Sequence, residues 1–262
     1  MLTHTSPNPD KVPGFWKVPY ELSPILLGCK AAPKTKEIAK GVWLAENVIS
    51  DESCDAINRL HDFSPNYQAV SVQGMKDIRG PEDIGSYRTT TWNPYLAQEF
   101  ERLFYWTDFP DIVNCEDTTS TDFWQNTKCR KYVYEGVSPL LRAMTYKEGN
   151  KHACHYDAAY LYPDSNYRTL LSFVAYFSTN KTGATRIIRD GQETLPVWER
   201  NHSDWDREER PEEIIAESLP VKGNVLFFFH RIPHSVSKFI PEIEGEERRI
   251  IRGDLVYHAL EN

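Results

Sequence analysis

Long apolar runs are missing from this chain: no stretch of 18 or more residues is hydrophobic enough to read as a membrane span. The opening Met1-Leu2-Thr3-His4-Thr5-Ser6-Pro7 also lacks the charged-then-apolar pattern of a signal peptide, so a cytoplasmic protein with no membrane partner is expected. Cysteine is scarce. The five present, at 29, 54, 115, 129 and 154, are an odd number without paired spacing, which argues for reduced thiols and against a disulfide framework or a zinc site. Positive charge is in deficit, with 30 basic against 38 acidic residues and a formal charge of −8. Such a surface repels phosphate and argues against nucleic acid as a partner, leaving room only for a local basic groove. Internal repeats and low-complexity tracts are absent as well.

What remains is a folded chain: 262 residues, 40% hydrophobic and 13% aromatic, are enough to bury a substantial core. Residues 1–137 read as an N-terminal extension with helices packing on a core, and 138–262 as the core itself, together one structural domain. Residues 1–40 show no clean period and read as an extended arm with short pieces. Gly41 to Ile49 reads as a strand, and Ser50 then caps a helix with acids in its first turn and Cys54, Ile57 and Leu60 at helical spacing. A second helix is expected over Tyr95 to Tyr105, followed by loop over 107–130.

After Pro139 the character changes to short strands with turn punctuation, at Leu140–Tyr146, Thr169–Ser178, Val225–His230 and Arg249–Tyr257. No helical segments intervene, which points to a mainly β, α+β fold: an antiparallel sandwich or double-stranded β-helix (jelly roll). A charged insert at 189–217 carrying Trp198 and Trp205 reads as a surface excursion, with a lid among its roles.

Three residues carry the chemistry. His155 and Asp157 are separated by one residue, so strand alternation directs both to one spot, and His234 lies 77 positions on, just past the Phe227-Phe228-Phe229 strand. Two imidazoles and one carboxylate on one side of a metal leave the remaining positions open, the pattern of non-haem Fe(II) oxygenases. A lone His-x-Asp is a weak signal; here it follows a glycine turn and precedes an aromatic strand, and arginines follow the second histidine.

Arg248 and Arg252 are four apart and share a strand face, whereas Arg249 points the other way and suits an ion pair with the acids at 242–247. A guanidinium facing inward could neutralise the far carboxylate of a dicarboxylate co-substrate through two parallel hydrogen bonds. Tyr146 and Tyr176 are candidate hydroxyl donors to the same carboxylate, with core packing as the alternative. His152 and His230 suit supporting or packing roles, and Cys154 points to the face opposite His155.

The stretch Leu141-Arg142-Ala143-Met144-Thr145-Tyr146-Lys147-Glu148-Gly149 leading into His155-Tyr156-Asp157 resembles the entry to the catalytic core of the Fe(II)/2-oxoglutarate dioxygenase superfamily, in its prolyl 4-hydroxylase-like branch. Thr182-Gly183-Ala184-Thr185-Arg186, Gly223-Asn224-Val225-Leu226-Phe227-Phe228 and the closing run from Arg248 to Tyr257 extend the resemblance over about residues 138–258. It implies His155, Asp157 and His234 as iron ligands, and Arg248 as the residue binding the distal 2-oxoglutarate carboxylate with Tyr146 and Tyr176 as contacts. Arg252 matches a second arginine of some branches, so the two arginines compete for that role. The cofactors so implied are Fe(II), 2-oxoglutarate and O2, with ascorbate as a stimulant. The implied activity is hydroxylation of a peptidyl proline or a small amino-acid-like molecule. A non-catalytic sensor or scaffold barrel is the rival from another class.

Overall fold

Val225-Leu226-Phe227-Phe228-Phe229 is apolar at every position, which a strand solvated on one face would not be. The computed structural model explains it. That strand has helices over one face and a second sheet over the other. The model describes residues 27–29, 33–60, 87–105, 107, 112–114, 131–157, 159, 160, 167–192, 195, 199 and 208–260. Trp198 and Trp205 lie outside the described residues.

The first elements are β1 (Lys34–Ala39), β2 (Val42–Glu46), α1 (Asp51–Leu60), β3 (Tyr87–Trp92), α2 (Pro94–Phe104) and β4 (Ile112–Asn114). The Ser50 hydroxyl accepts the Ser53 N–H at 3.2 Å to cap α1, and Asn93 Oδ1 accepts the Leu96 N–H at 3.0 Å to cap α2, with Pro94 in its first turn. The core then runs β5 (Lys131–Val137), β6 (Leu140–Tyr146), β7 (His152–His155), β8 (Tyr167–Tyr176), β9 (Thr185–Ile188), β10 (Ile214–Ser218), β11 (Val225–Phe229), β12 (His234–Val236) and β13 (Arg248–Ala259).

From β6 onward the chain passes back and forth between two antiparallel sheets. The larger has the order β1-β2-β11-β8-β13-β5-β4, with β6 also paired to β13 and β3 to β6; the smaller is β10-β9-β12-β7. This is the jelly-roll core expected from the strand pattern, with few helices added.

Alternation along the large sheet sorts its side chains into two cores. Outward, Phe173, Phe227 and Leu255 pack with Phe100, Leu103 and Phe104 of α2. Phe104 sits 5.1 Å from the Phe173 ring and 4.9 Å from that of Phe227, both edge-on. Inward, Met144, Val174, Leu226, Phe228 and Ile250 meet Ile187 and Val236 of the small sheet.

Three regions differ from the sequence expectation. Lys34–Ala39, read as part of an irregular arm, is an edge strand on β2, and Ile112–Asn114, within the stretch read as loop, is a short strand on β5. Neither stretch alternates strongly in sequence; pairing with the neighbouring strand places each one. The end of the charged insert is not an excursion: Ile214–Ser218 forms β10, the edge of the small sheet, in register with β9. Its acids are tied back through Arg186 to Glu209 at 2.7 Å and to Glu217 at 2.6 Å, and through Lys151 to Glu208.

Because Phe104 joins α2 to two strands of the large sheet, Phe104→Ala should destabilise the fold by about 3–5 kcal/mol in urea unfolding. A change below about 1 kcal/mol would mean that this helix is not part of the same cooperative core.

Candidate metal centre

The small sheet brings the three sequence candidates together. His234 on β12 lies directly opposite His155 on β7 in the antiparallel register, and the rings are 4.2 Å apart between centroids. β7 ends at His155, so Asp157 is not placed by continued strand alternation. Its backbone N–H instead donates to the His230 carbonyl at 3.1 Å, which turns the side chain in beside the imidazoles. One ligand atom from each of His155, Asp157 and His234 falls within 4.8 Å of the others, a spacing that can hold a metal ion. Asp157 Oδ1 is 3.9 Å from His155 Nε2, and Oδ2 is 3.7 Å from His234 Nε2.

The imidazoles are oriented from behind. His155 Nδ1 is 2.8 Å from the Ala153 carbonyl and His234 Nδ1 is 3.0 Å from the Ile232 carbonyl. A carbonyl only accepts, so each Nδ1 carries the hydrogen and each Nε2 presents its lone pair to the centre. Phe228 packs on the His234 ring at 4.4 Å, and His152 meets the His155 ring edge-on at 4.2 Å.

Asp157 is held by a charged network that the sequence reading did not assemble. Ser172 donates to its Oδ2 at 2.5 Å, and Arg252 reaches the same oxygen at 2.7 Å through Nη2 and 3.1 Å through Nε. Arg252 also donates to Asp254 Oδ1 at 3.2 Å; Asp254 takes His230 Nε2 at 3.3 Å on that oxygen and Arg142 Nη1 at 3.0 Å on the other. Alternation along β13 puts Arg248, Ile250, Arg252 and Asp254 on one face, so extending the Arg248/Arg252 pattern by one step would have found Asp254. Arg142 follows from the same rule on β6, four before Tyr146. Ser172 offered no signal of its own in a strand of apolar residues.

Arg248 and Arg252 therefore part company. Arg248 is fully buried, with its guanidinium 4.4 Å from the Tyr146 ring centre and 5.8 Å from that of Tyr176. Its Nη2 donates to Thr185 Oγ1 at 3.1 Å, which also accepts the Tyr176 hydroxyl at 3.0 Å. Nε and Nη1 have no partner among the described residues, although a buried cation costs several kcal/mol when uncompensated. Thr185 shares its strand face with Ile187, which pairs with His234, so this cluster lies about 7 Å along the strand from the residue opposite His234. Gly183, at φ +75, lets Arg248 lie there, since a Cβ would stand 2.8 Å from Arg248 Cδ.

Burial drives protons off His234, assisted by the His155 ring, and lowers its pKa to about 3. Burial would raise Asp157, but Arg252 and the surrounding histidines outweigh it and hold the carboxyl well below its ordinary value. Asp254 is lowered in the same way, with Arg252 the largest of the causes opposing burial.

No family model matches this chain, and no curated protein matches it by sequence. Several solved structures resemble it. A viral collagen prolyl hydroxylase from Paramecium bursaria Chlorella virus-1, solved with 2OG, is 14% identical, with 85% of this chain and 98% of that one covered and a TM-score of 0.43. A prolyl-4-hydroxylase of Pseudomonas putida is 10% identical over 85% and 94% of the two chains, with a TM-score of 0.42. EvdO2 from Micromonospora carbonacea var. aurantiaca is 12% identical over 85% and 88%, with a TM-score of 0.49.

An unfolded chain takes up the His234 proton near pH 6.5, whereas the folded chain takes it only near pH 3. Metal-free protein should therefore lose stability as pH falls below 6.5, by about 1.4 kcal/mol per unit for this one group. Asp157 and Asp254 act in the same direction only below about pH 4, where the unfolded carboxyls protonate. Between pH 6.5 and 5, His234→Gln should remove about 2 kcal/mol of the acid-induced loss seen in urea midpoints; an unchanged slope would contradict the buried, neutral imidazole.

Proposed function

We propose that this chain is an Fe(II)- and 2-oxoglutarate-dependent dioxygenase that hydroxylates an aliphatic C–H bond of a peptidyl proline or a small amino-acid-like substrate, releasing succinate and CO2. The observation that carries the proposal is Arg248: a fully buried guanidinium with two unsatisfied donor nitrogens, beside a two-histidine, one-carboxylate cluster. A buried cation left this way implies an anion that completes it.

The donor set fits iron. His155 and His234 would hold it through Nε2, and Asp157 would hold it through Oδ1, because Ser172 and Arg252 already occupy Oδ2. When bound, iron with 2-oxoglutarate and O2 supplies the oxidant that the protein lacks among its own side chains. Arg248 would take the distal carboxylate of 2-oxoglutarate, with Thr185, Tyr146 and Tyr176 shaping the pocket end. Arg252 holds the metal-binding carboxylate in place instead of competing for the co-substrate. No side chain acts as a nucleophile; the residues orient, neutralise charge and exclude water.

Purified protein should release succinate from 2-oxoglutarate in an Fe(II)-dependent manner, and Asp157→Ala should abolish it. Arg248→Met should raise the 2-oxoglutarate requirement about 100-fold, since a buried charge partner is lost, while leaving the metal-free protein as stable or more stable because an uncompensated cation is removed. Wild-type 2-oxoglutarate dependence in Arg248→Met would overturn the assignment. Metal and 2-oxoglutarate binding without any succinate would favour a sensor over an enzyme.

A further inference from the structure

We propose that Arg142 anchors a carboxylate of the primary substrate, so that the substrate class is a small molecule with a free carboxylate, such as a hydroxy acid or a free amino acid, and not an internal residue of a peptide. The proposal rests on the Fe(II)/2-oxoglutarate reading and selects between its two substrate classes.

The inner face of β6 and β13 has a closed end and an open end. Arg248 pairs across strands with Tyr146, and these two are 0% and 1% exposed. Four residues along, Arg252 pairs with Arg142, whose side chains are 15% and 20% exposed, and His155 is 26% exposed. Co-substrate bound at the Arg248 end leaves the approach to the metal at the Arg142 end.

The two arginines at that end are not equally engaged. Arg252 is committed to Asp157, Ser172 and Asp254. Arg142 donates one Nη1 hydrogen bond to Asp254 and makes no other hydrogen bond or ion pair among the described residues. A guanidinium carries five donors in a rigid fork matched to a carboxylate, so most of the Arg142 fork is left without a partner among the described residues. Asp254 fixes where that fork points, much as Ser172 and Arg252 fix Asp157.

Charge sets the sign of what the fork receives. Asp157 and Asp254 cancel Arg252 and Arg142. Arg248 and a divalent ion contribute three positive charges, of which 2-oxoglutarate removes two. The loaded site keeps one positive charge, which favours the carboxylate of an incoming molecule. The chain's net charge of −8 works against polyanions at longer range.

The test uses the full-length protein loaded with Zn(II) and 2-oxoglutarate, which cannot turn over, titrated with the free L-amino acids and small aliphatic hydroxy acids, each beside its own carboxamide. The expected result is that the acids which bind do so at least 10-fold more tightly than their amides, because a site built for a charged group rejects its neutral analogue. Arg142→Gln should erase that preference by weakening the acids alone, and Arg142→Lys should retain part of it; the lysine variant also serves if the glutamine variant does not fold. Equal binding of acids and amides, no binding by any acid, or unchanged acid affinity in the variants overturns the proposal. Failure of the Zn(II)/2-oxoglutarate complex to form would instead refute the underlying Fe(II)/2-oxoglutarate reading, and the Arg142 assignment would fall with it.

Discussion

The ion pair between Asp157 and Arg252 is the constraint on which the rest of the site depends. A carboxylate nearly sealed inside a barrel must be neutralised or it gives up its charge. Arg252 does this at one oxygen, and in doing so fixes which oxygen stays available beside the two imidazoles. The guanidinium would be a burden of its own were it not shared with Asp254, and Asp254 is in turn shared with Arg142. Charges of opposite sign alternate from Asp157 to Arg142, so every buried group meets an opposite neighbour. Loss of any one member leaves an uncompensated charge, which makes the network cooperative in what it costs and in what it positions.

The double-sheet fold converts this network into a directional site. With a period of two, each strand of the large sheet contributes alternate residues to the interior, and adjacent strands stack these into layers. One layer is Arg248 with Tyr146, closed to solvent. The next sets Met144 beside Ile250 and Tyr176. Beyond it Arg142 and Arg252 line up with Val174 and Leu226, and the row after that joins Asp254 to Ser172 and Phe228. The small sheet lays the histidines against this stack, and its short strands explain why their orientation is secured by local carbonyl contacts and not by strand geometry alone.

The legible parts of the chain were those where one face is buried and the chemistry is residue-specific. His155, Asp157 and His234 stood out because imidazole and carboxylate rarely serve core packing, and Arg248 stood out by its spacing from Arg252. Both helices were readable from their caps and apolar spacing, and the structure ends them within a residue or so of the expected positions. Strands β1, β4 and β10 were not, because β1 and β10 are edge elements with mixed composition and β4 is only three residues long; pairing across the sheet decides such strands. The division of labour between Arg248 and Arg252 was likewise hidden. Alternation says that both face inward, but only the positions of Asp157, Asp254 and Thr185, brought from two strands and the turn after β7, say what each one meets.

The measurement that bears most directly on this site is anaerobic visible absorption of the metal-free protein on addition of Fe(II) and 2-oxoglutarate. Iron held by His155, Asp157 and His234 as proposed, with 2-oxoglutarate reaching Arg248, would give a charge-transfer band that needs both additions, as expected when a keto acid chelates iron at such a centre. Fe(II) and 2-oxoglutarate that produce no band together, under conditions where the folded protein is confirmed, would contradict the placement of a co-substrate between His155, Asp157, His234 and Arg248.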